Sequence, residues 1–246
     1  MLGARQIAAN IADTYFQIGQ QCPEVECFAN EKIVCCRSRR GFPTGNFAFL
    51  LEPCAESVEF LRSWVTGKKP FYFYIYTSPE TAFDESLLTA HRARHCSSLF
   101  NYEGMSPVAD ANLKWIRASD PEHRLQAASF MAQQFFHFQS QEIRDVVAIS
   151  TSQTQLELLE CVIGRQRAGA VMINRAHGMI GVYNLCVANS LRGRGYGSQM
   201  LGSLLHTATI ENQPVVLQCE SQLRSWYEKF GMKNVGKVDV WCLESL

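Results

Sequence analysis

Gly193, Gly195 and Gly197 alternate with Arg192, Arg194 and Tyr196, and Ser198 follows. These are residue types that can hold a phosphate. A glycine has no Cβ, so a ligand can approach its backbone closely. The apolar positions that come next, Met200, Leu201, Leu204, Leu205 and Ala208, have helical spacing with one buried face. A helix therefore starts at the turn. Its N-terminus carries about half a positive charge and presents unpaired N–H groups, which suits a phosphate or pyrophosphate. Arg192 and Arg194 add cationic donors. Residues 179–187 are almost wholly apolar and read as an interior strand leading into the turn. The Gly-Lys-Ser/Thr of a P-loop is not present, and the glycine spacing is not that of the dinucleotide fingerprint. The plain structural alternative is a solvated turn that caps an ordinary helix.

The run Arg192-x-x-Gly195-x-Gly197 resembles the acyl-CoA pyrophosphate loop of the GCN5-related N-acetyltransferases, the GNAT superfamily. A second stretch, Tyr227-Glu228-Lys229-Phe230-Gly231-Met232, resembles that family's Tyr-x-x-x-Gly-Phe, with Met232 in place of Phe. Between them residues 215–219 read as another buried strand. The resemblance covers residues 112–246 and implies a mixed α/β (α+β) fold, in which a central, mostly antiparallel, splayed sheet is flanked by helices. It implies acetyl-CoA as acyl donor and an amine as acceptor. Arg192, Gly193, Arg194, Gly195, Tyr196, Gly197 and Ser198 would bind pyrophosphate. Leu185, Cys186 and Val187 would offer backbone groups to the pantetheine arm. A backbone N–H near Cys186 or Val187 would stabilise the thioester oxygen.

The amine must attack in its neutral form, so a base is needed. Tyr227 matches the family's proton donor to the departing thiolate. Family members often carry a glutamate on the central strand, but positions 181–184 are Gly, Val, Tyr and Asn. Glu220, just past the following strand, is the nearest carboxylate and the second catalytic candidate. Cys219 has no partner base in the sequence, so transfer is expected to be direct, within a ternary complex. The rival from another class is an acyl-CoA-binding sensor or interaction protein that keeps the loop and lacks the chemistry.

The segments that must position these groups can be read in order. Residues 4–20 have helical apolar spacing and are expected to pack against the first half of the chain. Residues 22–30 read as a loop, 32–37 as a strand and 38–45 as a basic turn. Strand 46–51, helix 55–66, strand 71–76, helix 81–94 and strand 99–105 follow, a β-α-β-α-β order with at least one parallel pair. This half resembles the partial, degenerate GNAT-like domain that precedes the catalytic one in a group of bacterial family members. Its Gly45-Asn46-Phe47-Ala48 strand and the Gly104-Met105 pair carry that likeness. Residues 106–110 read as a linker, which divides the chain into 1–106 and 107–246. After a strand at 113–118, Asp120, Pro121 and Glu122 mark a helix start. A further helix at 141–149, strands at 156–163 and 169–174, and closing strands at 235–244 complete the reading.

The chain has 246 residues, 47% hydrophobic and 19% charged, and a formal net charge of zero. A sizeable core is expected, and no basic field points to nucleic acid or a membrane surface as partner. No leader peptide or spanning helix is read, which suggests a cytoplasmic protein, as monomer or homodimer. The ten cysteines are scattered through apolar runs and lack metal-site spacing, so free thiols and no metal are expected.

Overall fold

A computed structural model describes residues 3–40, 42–65, 71–77, 91–102 and 113–243. Helix α1 (Ala4–Gly19) leads into β1 (Val25–Ala29), β2 (Ile33–Ser38), β3 (Asn46–Leu50) and α2 (Ala55–Trp64). Strands β4 (Phe71–Thr77), β5 (His91–Tyr102) and β6 (Leu113–Arg117) precede α3 (Pro121–Phe135) and α4 (Gln141–Ser152). Next come β7 (Glu157–Ile163), β8 (Gln166–Ala176), β9 (Met179–Val187) and α5 (Tyr196–Ile210). The chain closes with β10 (Val215–Glu220), α6 (Arg224–Glu228) and β11 (Lys233–Leu243).

The strands form one mixed sheet in the order β1-β2-β3-β4-β11-β5-β10-β9-β8-β7-β6. Among the described residues, only β3–β4 and β9–β10 are parallel pairs. The last strand therefore lies between two strands from the first half of the chain. The expected boundary at residue 106, the Gly104-Met105 pair and the 106–110 linker lie outside the described residues, as do residues 81–90 of the expected second helix. Residues 91–94, read as the end of that helix, instead belong to β5. Val25–Ala29, read as loop, pairs with β2 in full register from Val25↔Ser38 to Ala29↔Val34. Its sequence, Val-Glu-Cys-Phe-Ala, alternates only weakly, and β2 supplies the order that its own pattern does not.

Residue alternation explains how helices cover both faces. On β8, Ala170 and Met172 pack beneath α1, α3 and α4, whereas Val171 and Ile173 pack beneath α5 and α6. On β9, Met179 and Tyr183 join the first set, and Ile180 and Val182 the second. Beyond Asn184 the parity inverts: Leu185 joins the second set and Cys186 the first. The register against β8 skips there, and Asn184 has φ +52°. One extra residue thus turns the end of β9, as a β-bulge does.

Helix α1 does more than cover the first half of the chain. Its partners include β2 but also β8, β9 and β10. The Asn10 amide donates to Ala176 O at 3.0 Å, and the Asn174 amide donates to both Asp13 Oδ2 and Thr14 Oγ1 at 2.8 Å. Gly181 makes this approach possible, because a Cβ there would meet Asn10 Oδ1 at 2.1 Å. The helix start read at Asp120 is formed as the sequence suggests, its carboxylate accepting from His123 N at 2.9 Å with Pro121 first in the helix.

Candidate active site at the sheet splay

Strands β9 and β10 pair only at Ile180↔Val215 and Gly181↔Val216. Further along, β10 continues its ladder with β5, from Leu217↔Phe100 to Glu220↔Ser97, while β9 stays paired with β8 to Val187. The two strands diverge, and the edge of β9 facing β10 leaves the ladder over Leu185, Cys186 and Val187. The bulge at Asn184 lies where the divergence begins. Backbone groups on that edge have no strand partner and are free to meet an extended ligand. The Cys186 side chain is turned away from the cleft, its Sγ 3.6 Å from Ala170 O. Any role it has in binding belongs to its backbone.

A cavity of about 460 Å³ occupies the divergence. Val182, Tyr183, Asn184 and Leu185 of β9 form one side, and Gln218, Cys219, Glu220, Leu223 and Tyr227 the other. Tyr227 comes from the short helix α6, is 8% exposed and packs against Phe100 with ring centroids 5.8 Å apart. Its hydroxyl has no hydrogen-bond partner among the described residues. Burial, and next the nearby Cys219 thiol, raise its pKa, so the phenol keeps its proton. Glu220 ends β10, is exposed, and accepts a hydrogen bond from Gln222 Nε2 at 2.6 Å. Burial pushes the Cys219 thiol up to about 11. The cavity therefore holds a protonated phenol, a protonated thiol and one carboxylate.

A second recess of about 240 Å³ lies at the start of α5, bounded by Val187, Arg192, Gly193, Gly195, Gly197 and Ser198, with Leu191, Tyr196 and Trp226. Gly193 and Gly195 have φ +74° and +83°, and no atom comes within 4 Å of where either Cβ would stand. Between Gly193 and Gly197 no amide donates to a backbone carbonyl among the described residues. The first turn of α5 carries no acidic residue. These are the requirements of an anion cradle: free N–H groups, open space and no competing carboxylate. The Arg192 guanidinium is held across the recess by Val187 O at 3.2 Å and Gln134 Oε1 at 2.9 Å. Arg194 is exposed beside the recess and does not line it.

The two sites are joined. Leu185 lines the larger cavity and Val187, two residues on, lines the smaller. Trp226 Nε1 donates to Ser198 Oγ at 3.3 Å, and its ring meets Tyr227 edge-on at 4.7 Å. Trp226 is thus the tie between the Gly-rich turn and the tyrosine. The sequence reading missed Thr14, Tyr15 and Ile18 of α1, which wall the larger cavity. Gln218 Nε2 donates to the Tyr15 hydroxyl at 3.0 Å, linking that wall to β10. The available signal was Asn10 and Thr14, polar residues on the otherwise apolar stripe of α1. Among the described residues no group of three or more His, Cys, Asp or Glu is placed to hold a metal.

Comparison with known proteins agrees with this geometry. Residues 121–240 match the family model described as the acetyltransferase (GNAT) domain. No curated protein matches the chain in sequence. Among solved structures, a GCN5-related N-acetyltransferase from Kribbella flavida has a TM-score of 0.67 at 14% identity, over 98% of this chain and 96% of that one. A functionally unknown conserved protein from Staphylococcus epidermidis gives 0.62 at 13% identity, over 89% and 93%. A tandem GNAT protein from the clavulanic acid biosynthesis pathway gives 0.55 at 12%, over 99% and 97%. At such identities these likenesses concern the fold, and the family model concerns the domain that carries the splay and the Gly-rich turn. Residues 121–240 therefore form an acetyltransferase domain of the GCN5-related N-acetyltransferase (GNAT) superfamily.

Proposed function

We propose that the protein is an acyl-CoA-dependent N-acyltransferase that moves acetyl from acetyl-CoA to a primary amine by direct attack in a ternary complex. The observation that carries this reading is the continuity of the anion cradle at Gly193–Ser198 with the free edge of β9 and the cavity holding Tyr227. Arg192 and the amides of the turn would hold the pyrophosphate, Arg194 adding charge from outside. The backbone of Leu185, Cys186 and Val187 would meet the pantetheine arm. The amine nitrogen would form the C–N bond as the thioester C–S bond breaks, with a backbone N–H near Cys186 or Val187 facing the carbonyl oxygen. Tyr227 would give its proton to the departing sulfur. Glu220, directly or through water, would take the proton that the amine loses. Cys219 is protonated at neutral pH, which argues against an acyl-enzyme on that thiol.

The first half of the chain we read as a degenerate GNAT-like unit. The match of a tandem GNAT protein over 99% of the chain supports this. The nine cysteines whose side chains are described are free thiols, which fits a cytoplasmic setting. No described helix is long and apolar enough to cross a membrane. One observation favours the second reading, a non-catalytic acyl-CoA sensor: β9 carries no carboxylate at the cleft. Thermal stability with and without acetyl-CoA tests the cofactor site. Saturation at ~100-fold above Kd adds about 2.7 kcal/mol to the native state. The rise in Tm is expected in the wild type and its loss in Arg192→Glu. A rise without turnover of any amine would select the sensor reading.

A further inference from the structure

We infer that the larger cavity takes a primary monoamine with an uncharged, largely apolar body, and that α1 forms the wall that selects it. This rests on the N-acyltransferase reading for the reaction, though not for the binding.

The walls set the class of ligand. Away from β9 and β10, the cavity is closed by Tyr15 and Ile18 of α1, Phe135 and Phe136 at the end of α3, and Val147 of α4. The polar groups among these walls, Thr14, Thr44 and Thr151, are neutral, as are Asn184 of β9 and Gln218 of β10. Among the described lining residues Glu220 alone is charged, at the end where Tyr227 and Cys219 lie. One carboxylate can attract one ammonium and then accept its proton. Among the described residues no lysine, arginine or histidine lines the cavity to meet a substrate carboxylate, and no second carboxylate lines it to meet a second ammonium. Enclosing an unpaired charge is costly, so the lining acts against amino acids and polyamines as well as for apolar amines. A volume of about 460 Å³ is that of a small-molecule site.

The contribution of α1 is built in. Tyr15 is fixed by the hydrogen bond from Gln218, and its ring packs against Phe47, Phe49 and Tyr74 at 5.3 to 5.9 Å. The aromatic strands of the first half of the chain thus stand behind the wall. Substrate choice then depends on Tyr15 and Ile18, outside the matched acetyltransferase domain, as well as on Phe135, Phe136 and Val147 within it.

The test measures binding and transfer separately. Calorimetry on the CoA-saturated protein would use 2-phenylethylamine, phenylalanine, spermidine and a lysine-containing peptide, and acetylation of each would be followed with acetyl-CoA. Binding and acetylation of 2-phenylethylamine in preference to the other three is expected. Phe135 is 40% exposed, so its replacement leaves the core intact. Phe135→Ala should raise KM for 2-phenylethylamine at least about tenfold with KM for acetyl-CoA unchanged. Phe135→Glu should shift preference toward spermidine. Transfer to spermidine, phenylalanine or the peptide, with no binding of 2-phenylethylamine, would overturn the inference and leave the acyltransferase reading intact. Binding of 2-phenylethylamine without acetylation would support the pocket and count against the reaction. Failure of all four to bind would overturn the inference.

Discussion

The Tyr183 hydroxyl donates to Asn10 Oδ1 at 2.5 Å, joining the central strand to the first helix across 173 positions of sequence. Both residues are buried, and the contact stands beside the Asn174–Thr14 bond. An amphipathic helix could slide or rotate on an apolar sheet at modest cost. Directed hydrogen bonds inside that interface fix one register, and with it the place of Tyr15 in the cavity wall.

Tyr183→Phe removes the donor and leaves Asn10 Oδ1 buried without its partner. A loss of about 1–3 kcal/mol in global stability is expected, read by urea unfolding. Acetyl-CoA should still raise Tm, because Gly193–Ser198 are untouched. Undiminished stability would show that the contact contributes nothing net.

Tyr227→Phe separates chemistry from structure at the other end of the cavity. The hydroxyl has no partner among the described residues, so stability should change by no more than about 0.5 kcal/mol. In the proposed role of proton donor to the departing thiolate, loss of this hydroxyl should lower kcat by about 10²–10⁴-fold with little change in KM for acetyl-CoA. Because burial raises its pKa, deprotonation of Tyr227 should not limit the rate near neutral pH. An unchanged kcat would remove Tyr227 from the mechanism.

The Gly-rich turn was legible in the sequence because its demands are local: a backbone at positive φ, an open approach and an adjoining helix. So was β9, whose apolar run ends at Val187 as expected. What could not be read was set by distant partners. Helix α1 showed its periodicity, but nothing in residues 4–19 says that Asn174 and Tyr183 will meet it. Strand β1 is ordered by β2, and β11 is placed between β4 and β5 by pairings that its own pattern does not encode. The cavity wall is made of such long-range choices, and so the acceptor class inferred above rests on the fold and not on any local motif.

The buried thiols give the protein an alkaline limit. Burial pushes Cys161 and Cys186 up to about 12. In the unfolded chain a thiol titrates near ~8.5. Above that value the unfolded state loses its protons first and gains stability relative to the folded one. The contribution is therefore complete below about pH 8.5 and is lost progressively toward pH 12. Tm of the wild type should fall steadily above pH 9, and the slope should be shallower in Cys161→Ala, whatever its stability at pH 7. Parallel slopes would show that other groups govern the alkaline transition.

Two glycines in the same backbone region give a test of the cradle with its own control. Gly195, at the start of α5, has φ +83°, and Gly164, in the turn between β7 and β8, has φ +61°. Neither would bring a Cβ within 4 Å of another atom. Alanine at either site is thus strained by its backbone alone, at about 1–2 kcal/mol. Gly195→Ala also places a methyl group in the recess bounded by Val187, Arg192 and Trp226. Both variants should lose similar stability without ligand. Only Gly195→Ala should lose the rise in Tm expected with acetyl-CoA, because only there would the open space serve the proposed ligand. Equal protection of the two variants by acetyl-CoA would mean that the turn needs its glycine for shape alone, and that the donor is bound elsewhere.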